Sequence, residues 1–289
     1  MTLKKSILLL FSYVSFTANC QGGPGIPGYD LEAPDQGIVL PALLSEISGI
    51  THLGGSRFAC VQDEYGAIYI FDIAANKLER EILFSHNGDY EGIAVCGSTI
   101  YVLRSDGVLF EIQDFDLPGN TVMHDTGVPA DDSEGLCYDK SQNRLLIACK
   151  SAAGKEKEEK KRRLVYEFDL KNKTLNPEPA FILDGEELSE YASKNKELKD
   201  VKALEKETVR FLTSEIAIHP LSGDIYLLAA EKHLLLVLDK KGKIKHLTPL
   251  DPVIFNKSEG IAFFENGDMV ISNEGEKLVP TIYKFSFRP

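Results

Sequence analysis

Five short stretches of this chain resemble one another and recur at near-constant spacing. They are Ser45-Glu46-Ile47-Ser48-Gly49-Ile50, Asp89-Tyr90-Glu91-Gly92-Ile93-Ala94, Asp132-Ser133-Glu134-Gly135-Leu136, Thr213-Ser214-Glu215-Ile216-Ala217 and Lys257-Ser258-Glu259-Gly260-Ile261-Ala262. Aligning Ser48, Glu91, Glu134, Ser214 and Glu259 gives steps of 43, 43, 80 and 45 residues. A period of roughly 40–50 residues with several short strands per repeat is the signature of a β-propeller. The long third step is one repeat plus insertions. The sequence therefore predicts an all-β, five-bladed β-propeller.

Apolar runs and turn residues divide each repeat into strands. The first repeat reads as Ser48–His52, Arg57–Gln62, Ala67–Phe71 and Leu78–Phe84. The second shows three strands, ending with Val108–Ile112, and the third ends on a fourth strand over Pro179–Leu183. The fifth repeat runs out of chain after three. An unpaired strand edge is unfavourable, so Tyr29–Leu40, ahead of the first repeat, is expected to pair with Thr281–Phe287 and close the ring. Two segments fall outside the blade pattern. Lys155–Arg163 is a charge run and reads as a solvated loop. Residues 186–208 carry Leu188, Tyr191, Leu198, Val201 and Leu204 among charges, which predicts an amphipathic helical insertion between blades three and four. It is broken near Ser193–Asn195 and packs across one face of the ring.

The first 20 residues read as a secretory signal. Lys4 and Lys5 precede the apolar run Ile7–Phe11, and small residues follow as far as Cys20. Thr17-Ala18-Asn19-Cys20 resembles a lipobox, which makes Cys20 a lipidation site; cleavage after it by the ordinary signal peptidase is the alternative. Residues 21–28 then form a linker and 29–289 the propeller. The expected location is the bacterial cell envelope, with the membrane engaged only through an N-terminal lipid. Cys60, Cys96, Cys137 and Cys149 sit in apolar strand patterns without Cys-x-x-Cys spacing and read as small buried hydrophobes. The net charge of −12 argues against nucleic acid, whose phosphates need a basic face.

In a propeller the innermost strands begin on one face, and the loops after the second strands return to it. The first set brings Glu46, Ser48, Glu91, Glu134, Ser214 with Glu215, and Glu259 to the channel mouth. The second brings Asp63, Glu64, Arg104, Lys150, Glu231, Lys232, Asn273 and Glu274. Converging carboxylates raise one another's pKa, and a hard cation relieves that. Ca²⁺ takes six to eight oxygens in loose geometry, whereas Mg²⁺ asks for a tighter octahedron. The expected metal ligands are Glu91, Glu134 and Glu259, with Glu46, Asp63, Glu64, Asn273 and Glu274 behind them. The alternative is that these acids cap backbone amides and the glycines serve close packing. Arg104, Lys150, Glu231 and Lys232 are candidates to hold an unknown small-molecule or protein ligand; the basic ones also suit pairing with the acids. No nucleophile elbow, phosphate loop or histidine pair with metal spacing is present.

These residues resemble the SdiA-regulated (YjiK-like) protein family. The matching pieces are Glu46–Ile50, Asp89–Ala94, Ser133–Leu136 with Ala148-Cys149-Lys150, Ile218–Gly223, and Ser258–Ala262 with Ser272-Asn273-Glu274, spread over residues 29–288. The resemblance implies a five-bladed propeller, an envelope location, a bound calcium and no established enzymatic activity. The chain departs from the family pattern at Leu212, Arg104 and Ser151, where acids are usual. Besides a scaffold whose surface or helical insertion binds another protein, two functions are open at this point. One is a calcium-binding propeller that recognises a ligand or partner. The other is a calcium-dependent hydrolase of a phosphate ester or lactone, with Glu91 or Glu134 as base to a metal-activated water.

Overall fold

In the computed structural model, which describes residues 25–115, 119–199, 201, 202, 204 and 208–289, the repeats form five antiparallel sheets around one axis. Blade one is β2 (Ile47–Gly54), β3 (Arg57–Gln62), β4 (Ala67–Asp72) and β5 (Lys77–Leu83), preceded in the chain by β1 (Gln36–Val39). Blade two is β6 (Tyr90–Cys96), β7 (Thr99–Arg104), β8 (Val108–Ile112) and β9 (Thr121–Asp125). Blade three is β10 (Ser133–Asp139), β11 (Arg144–Cys149), β12 (Arg162–Asp169), β13 (Thr174–Leu175) and β14 (Phe181–Asp184). Blade four is β15 (Glu215–Ile218), β16 (Ile225–Ala229), β17 (Leu234–Leu238) and β18 (Ile244–Pro249). Blade five is β19 (Ser258–Phe263), β20 (Met269–Asn273) and β21 (Thr281–Phe285), completed by β1. The innermost strands β2, β6, β10, β15 and β19 each pack on the next, and β19 packs on β2.

The closure expected from sequence is present. Gln36, Gly37, Ile38 and Val39 pair with Lys284, Tyr283, Ile282 and Thr281. Central strands such as β3 and β17 are buried along nearly their whole length because a blade is covered on both faces, so they read as continuous apolar runs. The outer strand β5 instead alternates towards solvent. Apolar clusters fill the space between adjacent blades; Ile38, Phe58, Tyr69, Val270 and Ile282, for example, join blades five and one.

Three details differ from the expectation. Blade two has a fourth strand, β9, which apolar patterning misses because only its edge position is needed and its side chains are largely exposed. The outer strand of blade three is split: β13 pairs with the end of β12 and β14 with its start. Pro177 and Pro179 lie in the gap, and proline cannot donate to a ladder. Among its described residues the insertion contains one helix, α1 (Gly185–Lys194), followed by a 3-10 turn over Lys196–Leu198. Asp184 caps α1 by accepting from the Glu186 N–H at 2.9 Å, and Glu186 and Glu187 occupy its first turn. The helix bridges the outer strands β14 and β18 instead of crossing a face of the ring, and buries Leu188 and Ala192 between blades three and four.

Cys60, Cys137 and Cys149 are buried free thiols and Cys96 is half-buried. Among the described residues no helix is long and apolar enough to cross a membrane. The signal over 1–20, Cys20 and residues 21–24 of the linker lie outside the described residues.

Candidate metal centre at the channel mouth

The acidic positions are set by a repeated irregularity of the innermost strand. Pairing of the first two strands shifts register between Ile47 and Gly49, Tyr90 and Gly92, Ser133 and Gly135, and Ser258 and Gly260. The extra residue in each case is Ser48, Glu91, Glu134 or Glu259. A β-bulge leaves one residue out of the ladder and re-aims its side chain. Blade four has regular pairing from Glu215 onward, and Ser214 precedes it.

The glycine after each bulge permits close approach of neighbouring blades. A Cβ on Gly49 would stand 2.7 Å from the Glu91 carbonyl oxygen, and one on Gly92 would stand 2.8 Å from that of Glu134. Packing and acid placement are therefore features of the same motif. The two serines bind backbone of the next blade: Ser48 Oγ donates to the Tyr90 carbonyl at 2.6 Å and Ser214 Oγ to that of Ser258 at 3.0 Å. Two residues past these positions, Ile50, Ile93, Leu136, Ile216 and Ile261 line one cavity of about 290 Å³, which Thr51, His52, Tyr138 and Lys140 also line.

The three bulge glutamates share one electrostatic environment. Burial, then Glu134, Asp89 and Glu259, push the Glu91 carboxyl up to about 10. Glu134, 5% exposed, is pushed up to about 8 by burial, with Glu259 and Asp132 adding and Lys150 opposing. Burial raises Glu259, 7% exposed, against the pull of Lys257 and Lys150. Asp63 is pushed up to about 6 by burial and by Glu46, Glu64 and Asp89, and its Oδ1 is buried without a hydrogen-bond partner. Glu274 is pushed up to about 7, chiefly by burial.

The remaining candidates divide. Glu46 is half-buried at the blade-one rim and Glu64 is exposed, with its N–H held by Gln62 Oε1 at 2.6 Å. Asn273 is fully buried and its amide is already engaged: Oδ1 accepts from Ser258 Oγ at 2.9 Å, and Nδ2 donates to Thr281 Oγ1 at 3.1 Å and the Ile254 carbonyl at 3.3 Å. Arg104 turns to its own loop and grips Asp106 with two nitrogens, at 2.9 and 2.8 Å. Lys150 reaches the acids, with Nζ 2.7 Å from Glu134 Oε1. Glu231 and Lys232 stand on the 3-10 turn after β16, and Glu231 adds negative charge felt at Glu259 and Asp132.

Sequence reasoning passed over Lys257. Its Nζ lies 2.5 Å from Glu274 Oε2 and 3.6 Å from Glu259 Oε1. It stands two residues before its bulge, the offset held by Glu46, Asp89 and Asp132 in the first three blades. That shared offset was the available signal. Glu215 was read only as a companion of Ser214, yet it occupies the position that is glycine in the other four blades. It is 1% exposed; Oε1 accepts from the N–H groups of Leu136 at 2.9 Å and Ile216 at 3.0 Å, and Oε2 has no partner.

The donor chemistry suits a hard cation: the mouth offers carboxylate oxygens, and two, Asp63 Oδ1 and Glu215 Oε2, are buried and unpartnered. Among the described residues no three His, Cys, Asp or Glu side chains are already gathered as a ligand set. Lys150 and Lys257 hold acids that a cation would take.

Fold and mouth together define a five-bladed β-propeller with an acidic channel entrance. Comparison with protein-family profiles and with curated protein sequences gives no match. Among solved structures the chain is similar to Myxococcus xanthus glutaminyl cyclase, at 13% identity over 89% of this chain and 97% of that one, with a TM-score of 0.58. It is also similar to a chain of the nidogen/laminin complex, at 13% identity over 78% of this chain and 72% of that one, TM-score 0.50. At these identities the likeness concerns the fold alone.

Proposed function

We propose that this chain is a calcium-binding propeller of the SdiA-regulated type, exported to the bacterial envelope, which uses its acidic mouth to recognise a ligand or partner. The observation that supports the reading is that Glu91, Glu134 and Glu259 each stand on a bulge of a different blade and each has its carboxyl raised, Glu91 in the field of both others. Backbone capping would not require mutually repelling acids, and among the described residues the side chains that bond backbone of a neighbouring blade at the mouth include Ser48, Ser214 and Glu215. Glu91, Glu134 and Glu259 would supply the oxygen ligands, with Asp63 and Glu274 nearest behind them.

The test is a thermal melt of the mature chain in chelator, calcium or magnesium, with elemental analysis of the purified protein. Calcium binding only the folded chain adds about 2.7 kcal/mol at a hundredfold excess over Kd. Glu91→Gln with Glu134→Gln removes most of that gain, and magnesium substitutes poorly. A melting temperature indifferent to calcium, with no metal in the protein, overturns the reading. Anchoring through Cys20 is tested separately: Cys20→Ala releases the protein from the membrane fraction, and unchanged retention rejects the lipid anchor.

A further inference from the structure

The channel has a second mouth, at the end of the innermost strands away from the acids. Side chains two residues apart share a face of a strand, and each residue advances it by about 3.3 Å. The aliphatic tier from Ile50 to Ile261 stands two residues past the bulge positions and is at most 2% exposed. Two residues further come His52, Val95, Tyr138, Ile218 and Phe263, one from each blade. Both tiers line the same cavity of about 290 Å³. The first tier is almost closed to solvent, whereas His52, Val95, Tyr138 and Ile218 are half-buried, so the cavity opens on their side. Beyond them Lys140 and Pro220 line it from the loops after β10 and β15.

The wall is held by its own contacts. His52 Nε2 donates to the Gly55 carbonyl at 3.0 Å, and its ring packs on Phe58 and Phe264 with centroids 5.1 and 4.9 Å away. Tyr138 Oη donates to Asn143 Oδ1 at 3.1 Å. Acids on the same rim are already engaged. Asp139 accepts from Arg144 at 3.0 Å and from Ser141 Oγ at 2.6 Å, and Asp224 and Asp268 pair with Lys245 and Lys284 at 2.7 and 2.9 Å. Glu265 is exposed and does not line the cavity. Lys140 does line it, and has no ion-pair partner among the described residues.

We propose that this second mouth is a binding pocket for a small amphipathic anion, an apolar body carrying one carboxylate. The body lies on the aliphatic tier, walled by His52, Val95, Tyr138, Ile218 and Phe263, and the carboxylate meets the Lys140 ammonium at the rim. A concave, mostly apolar site with a few polar groups is the usual form of a small-molecule pocket, and a volume at the low end of the common range of about 300–1,000 Å³ restricts the body to a short chain or a single ring. One free ammonium matches one negative charge. The site is built from residues that the acidic mouth does not use, and it needs no cation.

The experiment is calorimetric titration of the mature chain, in chelator, with octanoate, with octan-1-ol as its neutral counterpart and with acetate as its head alone. Octanoate and octanol bind, and acetate does not. Lys140→Met weakens octanoate about fivefold, the scale of one exposed charge pair, and leaves octanol unchanged. Lys140→Arg restores octanoate. Val95→Phe fills the cavity and abolishes binding of both, and Ile218→Phe does the same from another blade, which separates a filled cavity from a local distortion. Absence of binding by both octanoate and octanol overturns the pocket, as does binding that survives both phenylalanine variants. Acetate binding as tightly as octanoate overturns the apolar body. Octanoate binding indifferent to Lys140→Met, or weakened no more than that of octanol, overturns the carboxylate assignment. Chelator is present throughout, so failure here leaves the calcium reading standing, and failure of that reading leaves this one.

Discussion

The Glu215 carboxylate of blade four accepts a hydrogen bond from the Leu136 N–H of blade three, at 2.9 Å. The other four blades have glycine at this position, and three of those glycines let backbone touch the next blade's backbone directly. In blade four the Glu215 side chain reaches back across the seam into which Gly135 of blade three also packs. Glu215→Ala leaves the Leu136 and Ile216 amides buried without that acceptor and should destabilise the chain by roughly 1–3 kcal/mol. Glu215→Gln keeps an acceptor oxygen and should lie much nearer wild type, because burial already holds this carboxyl well above the usual carboxylate range. Urea unfolding of the two variants checks the difference; an alanine variant as stable as wild type rejects the bridge.

Stability without divalent cations should fall as pH rises. Asp63, Glu274 and Glu134 keep their protons in the folded chain up to about 6, 7 and 8. The unfolded chain releases them in the ordinary carboxylate range. Between those limits the folded state binds more protons, so unfolding free energy decreases with pH. Below that window, lowered carboxyls such as Asp106 and Asp139 reverse the slope. Melting temperature in chelator should therefore peak near pH 5 and decline towards about pH 9. Glu134→Gln should flatten the decline. A flat profile for wild type contradicts the repulsion within the ring.

Closure of the ring depends on Ile38, which is buried against Ala262, Val270 and Ile282. Ile38→Ala should cost about 2–4 kcal/mol. Its neighbour Val39 is mostly exposed on the same strand, and Val39→Ala should stay within about 0.5 kcal/mol. Equal effects in denaturant unfolding would mean that β1 does not close the propeller.

The glycines of the inner strands should resist enlargement. A Cβ on Gly92 would meet the Leu136 Cβ at 2.6 Å and the Glu134 carbonyl oxygen at 2.8 Å. Gly92→Ala should therefore cost about 1–3 kcal/mol through overpacking and weaken any cation binding by displacing Glu134. A thermal melt and a calcium titration read the two effects together; an unchanged melt removes the close-packing argument.

The number of blades, the place of the innermost strands and the closing strand were legible in the sequence. The repeat preserves the chemistry of one position, and a period-length step recurs wherever a blade recurs. Glu91, Glu134 and Glu259 were legible for the same reason. The split outer strand of blade three and the exposed β9 were not, because edge strands need little apolar patterning to pair. The tertiary structure alone decided which charges meet. Arg104 and Lys150 occupy similar loop positions, yet Arg104 closes on Asp106 two residues away while Lys150 crosses to Glu134. Lys257 meets Glu274 and Glu259 only once the strands of blade five pair, and Glu215 meets the Leu136 N–H only once blade four packs on blade three. Burial and mutual repulsion depend on distances across that ring, and residues far apart in the chain acquire them only once it has closed.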